Sequence, residues 1–182
     1  MNAIELMVNE HENISRMLVV LRKACYRVLK GEEVNFDDFN DMVDFIRTYA
    51  DGHHHNKEEI FLFNRMAENL GAAGEKVIKH GMLVEHDLGR MYVGNLSEAL
   101  KKLKEGDEEA KLDIIANAIS YTDLLTRHIE KENSVVYKFA ERSLEKSLLD
   151  TINDECKAYE KKHGNTRVKK LEALEKLEKK YL

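Results

Sequence analysis

The chain has 182 residues, 43% of them hydrophobic and 35% charged, with 9 Gly, no Pro, no Trp and a formal net charge of −5. That length supports one domain with a sizeable core, and the lack of proline removes the commonest interruption of long helices. The acidic balance excludes wrapping of a phosphate backbone, and no run approaches the roughly 20 uninterrupted apolar residues of a spanning helix.

Runs of β-branched residues with period two are missing, so an essentially all-helical chain is expected. The first helix, over 2–29, carries the stripe Ile4, Val8, Ile14, Leu18, Leu21 and Cys25, broken only around His11. Lys30-Gly31-Glu32-Glu33 ends it, and Asn35 or Asp37 can cap the second, over 37–70, with Phe39, Met42, Val43, Phe45, Ile46 and Tyr49 inward. Leu70-Gly71-Ala72-Ala73-Gly74 breaks the chain before a third helix over 77–104, and Glu105-Gly106-Asp107 before a fourth over 108–141. The fourth repeats the apolar spacing with Ile114, Ile115, Ala118, Tyr121 and Leu125. Arg142-Ser143 precedes a last helix over 144–180, interrupted near His163-Gly164-Asn165. Four long helices of similar length predict an all-α, antiparallel up-down-up-down bundle over 1–142. Residues 143–182 form an additional C-terminal helix, packed on the bundle or trailing it. From Lys157 to Leu182, Lys and Arg outnumber Glu, which reads as a solvated face.

An internal repeat runs through this pattern. Glu10-His11 lies early in the first helix and Glu85-His86 early in the third, while His54-x-x-x-Glu58 and His128-x-x-x-Glu132 lie in the second and fourth. His11 to His54 spans 43 positions and His86 to His128 spans 42. Four positions beyond each carboxylate comes an apolar-aromatic pair, Leu62-Phe63 and Val136-Tyr137.

Residues four apart share a helix face, so each His points with its Glu. At 1.5 Å per residue, His11 and His54 both lie roughly 28 Å from the first turn, and His86 and His128 roughly 30 Å from the third. The middle connection closes less well, and an irregular stretch from Gly71 to Glu75 is expected to absorb the mismatch. Four imidazoles and two carboxylates then meet at one level, where unpaired charges would cost several kcal/mol each. A single His on an apolar face is ordinarily a satisfied core residue; four at matched heights, two with Glu at i+4, point to a metal. This ligand chemistry suits iron, manganese or zinc, and it leaves open positions on both ions.

The runs His54-His55-Asn56-Lys57-Glu58-Glu59 with Leu62-Phe63, Glu85-His86-Asp87-Leu88-Gly89-Arg90, and His128-Ile129-Glu130-Lys131-Glu132 resemble the hemerythrin-like, HHE cation-binding proteins. The resemblance covers residues 2 to about 141. It implies a carboxylate-bridged centre of two iron ions, bridged also by oxide or hydroxide when oxidised. The implied metal ligands are His11, His54, His86 and His128, with Glu58 and Glu132 as bridges. It further implies a small-molecule partner (oxygen, nitric oxide or peroxide), in oxygen or redox sensing or a stress response. The alternative is an enzyme of nitric oxide or peroxide reduction, or of iron-centre repair, served by an electron-donor protein. One turn before His86, where the oxygen carriers have a further His, stands Met82, with His80 off that face. That departure disfavours simple oxygen carriage and leaves both ions accessible. The Pro that usually follows the Leu-Phe pair is replaced by Asn64 and Lys138.

Some assignments stay open. His55 with Glu59 offers an alternative register about 100° round the helix, though the distance to Leu62-Phe63 favours His54 with Glu58. Tyr121, two turns before His128, is either a hydrogen-bond donor to the centre or a core aromatic. His53 reads as a solvated residue, Gly52 as a place of close backbone approach, and Arg90 as a residue behind the ligands or at the surface, with Glu85 or Glu58 as the alternative partners. Glu160-x-x-His163 is the only ferritin-like ligand spacing and lies in the tail, so that fold is set aside. No nucleic acid or membrane partner is expected. Met1 to Met7 lacks the basic region of a secretory signal, and the isolated thiols Cys25 and Cys156 suit a reducing cytoplasm.

Overall fold

The computed structural model describes every residue from Met1 to Leu182 and contains five helices and no strand. Helix α1 is Ala3–Leu29, opened by a reciprocal cap in which Asn2 accepts from the Glu5 amide and Glu5 from the Asn2 amide. Gly31, at φ 95°, turns the chain, and Asn35 rather than Asp37 caps α2 by accepting from the Asp38 amide. Helix α2 runs from Phe36 to Asn69, and α3 from Gly71 to Lys104. Helix α4 runs from Ala110 to Ser143, and α5 is Lys146–Tyr181.

Three helices depart from α geometry around the expected ligands. Wider i→i+5 turns occupy Ile46–His55 and Glu58–Phe63 in α2, Ile78–Met82 in α3 and Glu132–Val136 in α4. Such turns recur at functional sites because they turn more residues toward one side than an α-helix can.

The corner between α2 and α3 is tighter than expected. Helix α3 begins at Gly71, not at 77, and Gly71 takes φ 60° to turn the chain after Leu70. No irregular stretch to Glu75 exists. Counted from this corner, His54 and His86 are nearly level, which removes the mismatch left by the spacing argument. Gly74 makes the corner fit, since a Cβ there would stand 2.4 Å from the Met66 carbonyl oxygen.

Helix α5 is unbroken through His163-Gly164-Asn165, so the expected interruption is absent; one glycine costs a helix only about 1 kcal/mol. Nor is the tail merely a solvated face. Leu174, Leu177 and Tyr181 are buried against α1 and α2, as are Ile152 and Cys156 nearer the start of the helix. Arg16 holds Glu178 through two hydrogen bonds of 2.8 and 2.6 Å, and the Tyr181 hydroxyl donates to Asp38 at 2.6 Å. The Ala3 amide donates to Asn153 at 2.7 Å, tying the far end down.

The apolar core is split in two. One cluster of 29 buried residues includes Ile14, Leu21, Phe45, Leu96, Ile114 and Leu125; the other, of 14, includes Met7, Leu62, Phe63, Ile78, Val136 and Tyr137. In α1 the change of cluster falls between Met7 and Ile14, in α2 between Ala50 and Leu62, and in α4 between Ile129 and Val136. These gaps hold His11, His54, Glu58 and Glu132, with His128 directly before the α4 gap, so a polar layer crosses the bundle between two greasy blocks.

At the corner, Gly74→Ala must displace backbone, and the expected cost is about 1–3 kcal/mol. Chemical denaturation of the variant measures it; an unchanged midpoint would show that the corner has room to relax.

Candidate metal centre

His11, His54, Glu58, His86, His128 and Glu132 are all brought together in this layer, each with no more than 2% of its surface exposed. Glu132 lies across the middle. One of its carboxylate oxygens is 3.2 Å from His11 Nε2, and the other is 3.0 Å from His128 Nε2. Glu58 Oε2 stands 3.5 Å from His54 Nε2 and 3.6 Å from His86 Nε2. The other Glu58 oxygen accepts from the Tyr137 hydroxyl.

An outer ring of acceptors fixes the imidazoles. The Nδ1 atoms of His54 and His128 meet Glu10 and Glu85, both at 2.9 Å. Those of His86 and His11 meet Glu59 at 2.7 Å and Asn133 at 2.8 Å. A carboxylate or carbonyl oxygen can only accept, so each Nδ1 is the protonated nitrogen and each Nε2 turns a lone pair inward. The ring follows the sequence repeat. Glu10 and Glu85 act within their own helix pair, while Glu59 and Asn133, the residues after Glu58 and Glu132, each reach across to the other pair.

Such a layer demands a cation. His86 Nε2 and His128 Nε2 face one another at 3.1 Å, a contact of two acceptors unless a proton or a metal lies between or beside them. His54 Nε2, Glu58 Oε2 and both Glu132 oxygens are buried without a hydrogen-bond partner. Orphaned acceptors of this kind on α2 and α4, among imidazoles converging from all four helices of the bundle, fit metal of imidazole-carboxylate preference. The donor atoms divide into two groups, one of His11, His54, Glu58 and Glu132, the other of His55, Glu58, His86 and His128.

The sequence profile of the hemerythrin HHE cation binding domain matches residues 2–140. The chain belongs to this hemerythrin family. Uncharacterized proteins of Mycobacterium bovis and Mycobacterium tuberculosis are similar to it, at 22% identity over 135 residues, which is 74% of this chain and 52% of theirs. The chain thus spans about half the length of the curated relatives it matches.

Within this hemerythrin-type domain, His55 joins the site as a fifth imidazole and does not replace His54. It is 4% exposed, stacks on His86 with ring centroids 3.8 Å apart, and turns Nδ1 toward Asp51 at 3.3 Å. The wide turns of α2 let neighbouring residues 54 and 55 both face the layer. One sequence signal could have found it. The repeat aligns His55 with Ile129, a buried core residue, so position 55 had to point inward. Met82, where the oxygen carriers place their extra His, instead packs in the smaller apolar cluster.

Other readings change as well. His53 is 2% exposed, not solvated, and Lys57, unremarked in the sequence, is wholly buried beside it. Arg90 pairs with Asp51, Glu59 and Asp87, not with Glu85 or Glu58. No neighbouring helix closes on Gly52, where a Cβ would stand 3.1 Å from the Arg47 carbonyl of the same helix; the Gly52 carbonyl accepts from the Tyr159 hydroxyl at 2.9 Å. The Tyr121 hydroxyl is buried and unpartnered. Its side chain helps line a cavity of about 260 Å³ that reaches His55 and His86 beneath Arg90.

Without metal, protons take the cation's place. Burial and the neighbouring Glu132 carboxylate hold the Glu58 carboxyl well above its usual range. Burial opposes charge on Glu132 too, but the His128 imidazolium outweighs it and keeps that carboxylate ionised. His128 is pushed up to about 9, burial being overcome by Glu132 and Glu85, whereas burial and His11 bring His54 down to about 4. Protons on Glu58 and His128 must leave before either group can bind metal. Metal affinity is therefore expected to rise with pH up to about 9, with proton release on loading. Calorimetry in buffers of different ionisation enthalpy measures this; a pH-independent affinity would contradict the assignment.

Proposed function

We propose that the protein is a non-haem di-iron protein of the hemerythrin type that binds and reacts with oxygen, nitric oxide or peroxide in redox sensing or a stress response. The observation that carries this reading is Glu132, whose two orphaned oxygens face imidazoles of two different groups. A carboxylate so placed suits a bridge between two ions, with Glu58 as the second bridge. Bound iron would supply the redox chemistry and the open coordination position; the protein supplies the rest.

Ligand counting then separates the two positions. His55, His86 and His128 would crowd one ion, while His11 and His54 serve the other. With two shared carboxylates, the His11/His54 ion keeps more of the roughly six places that such metals favour. Both ions would still keep open places, as Met82 leads one to expect, but not in equal number. Incoming ligand is expected to bind on the His11/His54 side, where Tyr137 stands 3.4 Å from His11 Nε2.

A second reading, an enzyme reducing peroxide or nitric oxide with electrons from a partner protein, is favoured by that same tyrosine. Its hydroxyl donates to Glu58 and is held far above the usual phenol range by burial and by Glu58 itself. It can therefore hold a proton at the site and deliver it to a reduced ligand without ionising in the resting state. Cytoplasmic residence remains the placement we propose, supported by two buried, unpaired thiols.

About two irons per chain are expected after anaerobic loading. His54→Ala and His128→Ala should each cripple the centre yet leave helical content largely intact, since two apolar clusters hold the bundle. Uptake of one iron or none by the unaltered, folded protein would overturn the reading. On mixing reduced protein with oxygen, stopped-flow spectroscopy should record oxidation, because a proton donor, Tyr137, adjoins the more open metal position. A persistent spectrum reversed by removing oxygen would point to carriage instead. Loss of peroxide turnover in Tyr137→Phe, with iron retained, would favour the enzyme.

A further inference from the structure

The repeat makes the surroundings of the two halves directly comparable, and one of their differences lies outside the layer. In each half a glutamate that holds a histidine Nδ1 through one oxygen gives the other oxygen to a lysine three positions after that histidine. Glu85 holds His128 and pairs with Lys131; Glu10 holds His54 and pairs with Lys57. Lys131 is 45% exposed, so water shares its charge. Lys57 has no exposed surface at all.

The difference is α5. Its Glu160 gives the Lys57 ammonium a second carboxylate beside Glu10, and Glu160 Oε1 also lies 2.8 Å from His53 Nε2. Lys57 Nζ is itself 3.2 Å from His53 Nε2, so the ammonium sits among Glu10, His53 and Glu160 and fills a place that could otherwise take a cation. Tyr159 closes the outside, its ring 5.4 Å from that of His53 and its hydroxyl on the Gly52 carbonyl. Residues 159 and 160 lie beyond the 2–140 matched to the family, so this enclosure belongs to the extension.

A wholly buried ammonium needs a carboxylate on more than one side, or its charge stays uncompensated. Were Glu160 absent, Lys57 would draw on Glu10 alone, and Glu10 is the group that orients His54. Groups that hold a metal-bound histidine typically change metal affinity by roughly 10–100-fold when altered. On this basis, and resting on the two-metal reading above, we propose that α5 is a working part of the metal centre. Glu160 is a positioning residue that acts through Lys57 and Glu10 on His54, and it secures the His11/His54 metal position selectively. The matching control of the other position is the exposed Lys131–Glu85 pair.

The test loads full-length protein with two equivalents of ⁵⁷Fe(II) and follows both release to a chelator and the Mössbauer components. Glu160→Gln keeps shape and removes charge. It should speed release of one equivalent roughly tenfold and perturb one component, the one also lost in His54→Ala. Lys131→Gln should act on the other component, and Glu160→Asp, which keeps the charge, should restore most of the slow release. If Glu160→Gln folds poorly, Glu160→Asp against Lys131→Gln carries the same comparison, with a smaller effect on the same component. Equal acceleration of both equivalents, or of neither, with two irons bound would overturn this proposal alone. Failure of the unaltered protein to bind two irons would overturn it together with the reading beneath it.

Discussion

Everything in this bundle is arranged around the direction of a few lone pairs. Four imidazoles each commit an Nδ1 proton to an oxygen outside the layer, and so cannot avoid aiming Nε2 at one another and at two buried carboxylates. The arrangement is costly unless cations lie between the acceptors, and protons are the only substitutes the chain itself can offer. That constraint explains the split core, because a polar layer spanning four helices leaves apolar side chains no continuous path through it. It also explains the outer carboxylates, which are as necessary to the geometry as the inner ones.

The helices and their ligands were legible because helical spacing is a strict ruler. Repeated His-x-x-x-Glu pairs, set at equal distances from their turns, placed six candidate ligands on one level without reference to any contact. Where the ruler stretched, the reading failed. In Ile46–His55 the helix widens, so a 100° step per residue no longer separates His54 from His55, and two alternatives became two participants. His53 was lost for a different reason. Its burial comes from α5, more than 100 positions away in sequence, and nothing local to 53 announces that cover. The early start of α3 was hidden because small residues in Gly71-Ala72-Ala73-Gly74 read as a break, whereas the close approach at Gly74 needs just such residues.

The two halves of the centre differ in a few places that the repeat makes visible. Tyr137 matches Phe63, so only Glu58 receives a phenol hydroxyl. His55 matches Ile129, so only one side has a third imidazole. Lys57 matches Lys131, so only one side is sealed. Each change leaves the framework alone and makes the surroundings of the two halves unlike.

The crossing of Glu59 and Asn133 from one helix pair to the other has a consequence for assembly. Neither pair can orient all its own imidazoles, so each half is incomplete without its counterpart, as in an isologous dimer where each copy finishes the other's site. Here the two halves share one chain and are joined by the single residue Leu70 between α2 and α3. A tether that short makes the second half an intramolecular partner at an effective concentration of about millimolar or above. Completion of the centre is thereby independent of how dilute the protein is, which a pair of separate halves could not achieve.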